Sequence, residues 1–346
     1  RTHTRLVAVA DVWRKNLDAA AERIRTRHGE TPRTSTRYRD LLRAGDLDAA
    51  IIATPDFSHG TILNDCLNAG LDVYIEKPMT IDLPSANRAL DTARARQRVV
   101  QVGTQRRSEG RFRAAARYLA DRPLGPLSRV TAEVNFNHAR WLRNLDDCVA
   151  ADVDWEAYRL HLPDRPFDAA LLRRWQLHRE TSNGMPGLWM THYADAVHML
   201  TGAAYPRSAV ALGGTFVWRD GRQHTDTFRA VLEYPEGFLF SWGMGLGNGA
   251  GTAFSLHGTR GTLDVERWTV SPEPGAEAEV PRQEIAAEAG VNHMENWLRC
   301  LRTRERPNAD IVFGHQHVVA TVMAAQALES GRRQIYHPQQ REIHPG

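Results

Sequence analysis

Residues 49–78 read AAIIATPDFSHGTILNDCLNAGLDVYIEKP, and this stretch decides the fold. Ala49 to Thr54 is a short apolar run ended by Pro55. A helix is predicted near Thr61 to Ala69, stopped by Gly70. Val73 to Ile75 is the next strand, stopped at Pro78. Two short apolar strands without polar alternation, joined through one helix, fit neighbouring parallel strands buried on both faces.

The same alternation continues on either side. Leu6 to Ala10 (LVAVA) is a strand ending in Asp11, and Leu17 to Arg27 reads as a helix. Helix 84–96 and strand Val99 to Val102 complete the set. We expect an α/β class fold, with a Rossmann-like, doubly wound parallel sheet over residues 1–107. From about residue 127 the pattern changes. Segments 128–137, 207–218, 226–234, 237–243, 252–257 and 261–266 read as strands without helices between them. Turn signals such as Asp220-Gly221 and Gly258-Thr259-Arg260-Gly261 separate several of them. A second α+β domain over residues 108–346 is therefore expected, with a large open, mostly antiparallel sheet. Helices near 187–201, 292–303 and 314–330 would cover one face. Segment 271–287, rich in Pro, Glu and Ala, reads as a surface loop.

Composition narrows the partners. The chain has 346 residues, 42% apolar and 25% charged, enough for two domains with real cores. The net charge of +3 is small, and no basic block with interleaved aromatics occurs, so no nucleic-acid partner is expected. No unbroken apolar run reaches about 18 residues, so no membrane partner is expected either. Cys66, Cys148 and Cys300 are far apart and odd in number. That suits a reducing compartment and small buried hydrophobes, so we expect a cytoplasmic protein. Lys15 and Lys77 are the only lysines among the 44 basic residues. Lys15 reads as surface charge. A lysine kept at position 77 suggests a use for a titratable ammonium, which arginine cannot supply.

The candidate chemistry lies at strand ends. Ligands of doubly wound sheets sit at the carboxyl ends of the strands. Glu76-Lys77-Pro78 follows one strand, Ala53-Thr54-Pro55-Asp56-Phe57-Ser58-His59 another, and Val102-Gly103-Thr104-Gln105-Arg106-Arg107 a third. An ammonium at Lys77 could take or give a substrate hydroxyl proton, and burial would lower its pKa toward a useful range. If the Pro78 peptide is cis, that turn aims Lys77. The alternative reading is a solvated lysine at a strand end. Asp11 could receive two ribose hydroxyls or simply cap a helix. His192, Asp195 and His198 fall at i, i+3 and i+6, which spreads them round a helix, so no metal site is expected. Arg140 and Trp141 could line a sugar site, because aromatic faces pack on sugar C–H groups, or could be structural. Trp13, Trp189, Trp218, Trp242, Trp268 and Trp297 read as core or sheet-interface residues.

The order VADV, ATPDFSH, EKP and VGTQRR resembles the Gfo/Idh/MocA family of NAD(P)-dependent oxidoreductases. The resemblance continues through Asp154-Trp155, Pro166-Phe167-Asp168, Arg174-Trp175, Gly187 to Asp195 (GLWMTHYAD) and Gly258-Thr259-Arg260-Gly261. It implies hydride transfer on a sugar, cyclitol or related polyol, and homodimers or homotetramers built by packing open sheets together. It implies Lys77 and His192 as the acid/base pair. It also implies cofactor contacts from Asp11, Thr54, Pro55, His59, Glu76, Lys77, Gln105 and Trp175, with Asp11 favouring NAD over NADP.

Two departures matter. Leu188 stands one helical turn before His192, where the family pattern has an aspartate. The family's glycine-rich strand–loop–helix is also not in the sequence, whose opening strand matches the family's second. Roughly 30 preceding residues, one strand–loop–helix unit, are therefore expected to belong to the working enzyme. Without that unit, neighbouring strands would lack partners. Two other readings stay open here. One is a glycoside-cleaving enzyme that uses tightly bound NAD transiently. The other is a non-catalytic relative that has lost the cofactor.

Overall fold

The computed structural model describes residues 4–346. The first domain runs β1 (Ala8–Ala10), α1 (Arg14–His28), β2 (Arg33–Ser35), α2 (Tyr38–Arg43), β3 (Ala49–Ile52), α3 (Asp56–Asn68), β4 (Asp72–Ile75), α4 (Leu83–Ala95) and β5 (Val100–Val102). All its strand pairs are parallel: β1 with β2, and β3-β4-β5 in that order. Val73 and Ile75 on the central β4 are fully buried, as an unalternating apolar strand between two helical layers should be. Among the described residues β1 pairs only with β2, and β3 only with β4, so each keeps one unpaired edge. Ile51 on β3 is half exposed.

Next come α5 (Gly110–Ala120), β6 (Leu127–Asn135), α6 (Trp155–Arg159), α7 (Ala169–Arg173), a π-helical turn (Pro186–Met190) and α8 (Thr191–Thr201). Strands β7 (Ser208–Gly214), β8 (Thr227–Tyr234), β9 (Phe238–Gly245), β10 (Thr252–Gly258), β11 (Gly261–Asp264), β12 (Thr269–Pro272) and β13 (Gln283–Glu284) follow. Helices α9 (His293–Thr303) and α10 (Ile311–Ser330) and strands β14 (Gln334–His337) and β15 (Glu342–Pro345) complete the chain. The second sheet has ten strands in the order β13-β12-β11-β10-β6-β9-β8-β7-β14-β15, antiparallel throughout except between β6 and β9. Val130, Phe228, Phe240, Trp242 and Phe254 point to its covered face, where α8 and α10 pack.

Several boundaries differ from expectation for local reasons. Segment 271–287 is not wholly a loop: Gln283 and Glu284 pair with Val270 and Thr269. Helix α10 starts at Ile311 rather than 314, because Asp310 caps it by accepting from Val312 N and Phe313 N. By length and composition α10 could cross a membrane, but most of it is buried in the fold. Helix α3 starts at Asp56 rather than Thr61, directly after Pro55.

Candidate active site

A cavity of about 360 Å³ opens at the carboxyl ends of β3 and β4, walled on its other side by the π-helical turn and the start of α8. Lys77 and His192 both line it. The Lys77–Pro78 peptide is cis. Lys77 Nζ donates to the Leu188 carbonyl oxygen at 2.8 Å, tying the strand end of the first domain to the second. Burial pushes the Lys77 pKa down from 10.5, while the charges of Asp56 and Glu76 pull it back up. His192 is pushed down to about 3 by burial first, then by the charges of Lys77 and Arg106, so its ring is neutral at physiological pH.

The other expected site residues divide into two groups. Thr54, His59, Glu76 and Trp175 lie on the cavity wall with Lys77 and His192. His59 is buried, with Nδ1 2.7 Å from the Pro78 oxygen and Nε2 2.8 Å from the Thr54 oxygen, so it braces β3 against the Pro78 turn. Burial raises the Glu76 pKa, and its carboxylate packs over Gly103, where an added Cβ would sit 2.6 Å from Oε2. Asp11, Pro55 and Gln105 do not line the cavity. Pro55 is the residue before α3. Gln105 is exposed at the start of the turn after β5. Asp11 Oδ1 accepts from Trp13 N at 2.9 Å at the start of α1, and burial raises its pKa.

Arg140 and Trp141 are on the wall, in left-handed backbone conformation with φ 43° and 61°. Non-glycine residues held there store strain, which persists where surrounding contacts enforce it. The Arg140 guanidinium lies over the rings of Phe136 and Trp189, 4.7 and 5.1 Å from their centroids. Trp189, read from sequence as a core or sheet-interface residue, packs against the core with one side and lines the cavity with the other, from the π-helical turn of residues 186–190. Asp56 and Gln176 also line the cavity and were not singled out from sequence. Asp56 is only 2% exposed. Its signal was its place directly after Pro55, but strand-end position alone does not say where a side chain points.

Asp195 does not reach the cavity. Its two carboxylate oxygens share the single N–H of Arg107 Nε, at 2.8 and 2.9 Å, wholly inside the protein. His317 lies 3.8 Å away. Although burial opposes its charge, the Arg107 guanidinium and His317 hold the Asp195 pKa down to about 2.

The donor set fits the nicotinamide end of a dinucleotide. It combines strand-end Thr54 and Glu76, a desolvated lysine, a neutral histidine and three indoles in one cleft. Such a cleft, between a parallel nucleotide-binding sheet and an open-sheet α/β domain, defines a dinucleotide-dependent oxidoreductase class. The family description "Oxidoreductase family, NAD-binding Rossmann fold" matches residues 1–104, and its partner "C-terminal alpha/beta domain" matches residues 149–335. The chain belongs to the Gfo/Idh/MocA oxidoreductase family.

Among curated proteins, an inositol 2-dehydrogenase of Rhizobium meliloti is 32% identical over 127 residues, covering 37% of this chain and 36% of that protein. The first relatives are matched over only 36%, 54% and 34% of their own length. Two solved structures share the whole fold. The aldose-aldose oxidoreductase of Caulobacter crescentus, complexed with glycerol, has a TM-score of 0.71 at 17% identity, covering 96% of this chain and 91% of its own. The WlbA dehydrogenase of Bordetella pertussis, in complex with NADH and UDP-GlcNAcA, has 0.69 at 21%, covering 94% and 89%.

Proposed function

We propose that this protein oxidises or reduces a secondary alcohol of a sugar, cyclitol or related polyol, using NAD rather than NADP. Lys77 and His192 are the acid/base pair. The observation that carries the reading is their shared cavity, with Lys77 desolvated at the strand end. The bound nicotinamide supplies the hydride acceptor or donor. Lys77 Nζ spends one N–H on Leu188 O, which leaves it aimed while its remaining donors reach a substrate hydroxyl. The neutral His192 ring can accept a second hydroxyl proton or donate to a carbonyl oxygen. Trp141, Trp175 and Trp189 offer flat apolar faces for sugar C–H groups and displace water. The relatives named above, an inositol dehydrogenase and sugar-related oxidoreductases, support the substrate class. Asp11, at the end of β1, supports the preference for NAD, since a carboxylate suits two ribose hydroxyls and repels a phosphate.

The test is to add NAD and a panel of polyols to the full protein and follow reduced nicotinamide by absorbance. Turnover abolished by Lys77→Met, with cofactor binding retained, supports the reading. Bound cofactor with no redox change across the panel contradicts it. The apolar Leu188 beside Lys77 favours a second reading, redox-assisted glycoside cleavage; release of an aglycone without net reduced cofactor would identify it.

Homodimers or homotetramers formed through the open sheet belong to the same proposal. Leu212 is 80% exposed on the uncovered face, with Val210 and Leu239 also exposed there.

A further inference from the structure

We propose that Asp56 is the proton partner of Lys77, a positioning residue that brings from α3 the carboxyl group that Leu188 does not bring from the turn before α8. The inference rests on the reading of Lys77 as the group that handles the substrate proton.

Three features place Asp56 in this role. It is the first residue of α3, on the cavity wall with Lys77 and His192. Its carboxylate is almost entirely removed from solvent, yet among the described residues its only protein hydrogen bond is from Ser182 Oγ, at 3.3 Å. A carboxylate so buried is ordinarily paired or multiply hydrogen-bonded. Gly187 packs beside it, where even an added Cβ would lie 3.7 Å from Oδ2, so the turn leaves room for the carboxyl. Consistent with this, burial raises the Asp56 pKa to about 7, against the opposing pull of Lys77 and Ser182. The other titratable or charged groups around the pair are Glu76 beside Lys77, His59 on α3, His192 on α8 and Arg140 on the wall. Arg106 and His317 lie farther back, acting on His192.

Among the described residues Lys77 Nζ bonds Leu188 O and the Asp56 carboxylate bonds Ser182 Oγ, not each other, so the proposed transfer runs through a water admitted to the cavity. One N–H bond of the Lys77 ammonium breaks and one O–H bond forms on Asp56. The freed amine lone pair then takes the substrate hydroxyl proton. A bound oxidised nicotinamide would supply the acceptor for the hydride of the carbon bearing that hydroxyl, which would become the C=O. Asp56 later gives its proton to solvent through the cavity mouth, restoring the carboxylate.

The scarcity of lysine supplies a direct test. With isotope at lysine Cε, the full protein gives NMR signals from only Lys15 and Lys77, assigned by Lys77→Met. In the wild type, the Lys77 signal should show a small second step near neutral pH, as Asp56 titrates. Asp56→Asn should remove that step and lower the Lys77 midpoint by about 1 pH unit. In turnover, Asp56→Asn should lower kcat about 10-fold or more while KM stays within about threefold. A single-step Lys77 curve in the wild type overturns the proposal without need of any variant, and so does a midpoint unmoved in Asp56→Asn. These titrations need no substrate. A coupled Lys77 titration in a protein whose turnover survives Lys77→Met would sink the functional reading and leave the coupling standing.

Discussion

In the proposed reaction His192 acts as a neutral ring, because burial pushes its pKa down to about 3. It therefore cannot be the group whose titration shapes activity around neutrality. His192→Asn should lower kcat roughly 100-fold, yet leave any pH-dependent limb near neutrality where it was. A limb that disappears in His192→Asn would contradict this assignment. On the proposed reading Trp141, on the cavity wall, serves binding: Trp141→Ala should raise KM about 10-fold with kcat little changed, as expected when an interaction is equal in ground and transition states. Steady-state kinetics check both. That Lys77 and His192 line one cavity was legible in the sequence, because each sits in a distinctive motif at a strand end or helix start. Asp56 was not, although it was in plain view. Its direction depends on α3 beginning there, about a turn earlier than Thr61, and apolar periodicity does not report the first turn of a helix that follows a proline.

The site is held together by contacts between elements. Arg107, in the turn after β5, and Asp195, on α8, form a buried pair that fixes the helix carrying His192. Removing the guanidinium leaves a buried carboxylate with only His317, 3.8 Å away, beside it. Arg107→Met should destabilise the protein by about 3–5 kcal/mol, measured by urea unfolding. A loss under about 1 kcal/mol would mean that water reaches Asp195. Gly314 is the corresponding contact of α10. A Cβ there would sit 2.7 Å from both Met79 Sδ and Val102 Cγ2. Gly314→Val should cost about 1–3 kcal/mol by overpacking, and should disturb the turn that carries Lys77. The strand–helix alternation of the first domain was readable because buried parallel strands lack polar alternation. The π-helical turn was not: residues 186–190 have the apolar content of an α-helix, and a π-turn differs from it only in hydrogen-bond register.

At the scale of the whole molecule, the buried histidines make the fold sensitive to acid. His192 and His198 are lowered to about 3, and His224 and His315 to about 4, all from 6.5. In each case burial is the main cause. Above pH 6.5 these rings are neutral in both folded and unfolded chains. As pH falls below 6.5 the unfolded chain binds protons first, so stability is lost progressively down to pH 3–4. Asp56 runs the other way. Its pKa is raised from 3.8 to about 7, so the folded chain takes that proton first, and stability from this group grows as pH falls through that window. Four rings outweigh one carboxyl, and the urea midpoint should be lower at about pH 5 than at about pH 7.5, with the slope unchanged. An equal or higher midpoint at the lower pH would contradict the burial of these rings. The proposed assembly through the open sheet makes a separate prediction. Leu212→Asp, on its exposed face, should shift the light-scattering mass toward the monomer; a monomeric wild type would remove the proposal.

The most direct measurement is a crystal structure of the protein with NADH and a non-reacting polyol. The expected result has the nicotinamide ring and the polyol meeting in the cavity lined by Trp141, with a polyol oxygen about 3 Å from Lys77 Nζ and His192 in reach of the same carbon's substituents. A nicotinamide bound elsewhere, or a polyol with no oxygen near Lys77, would contradict the account.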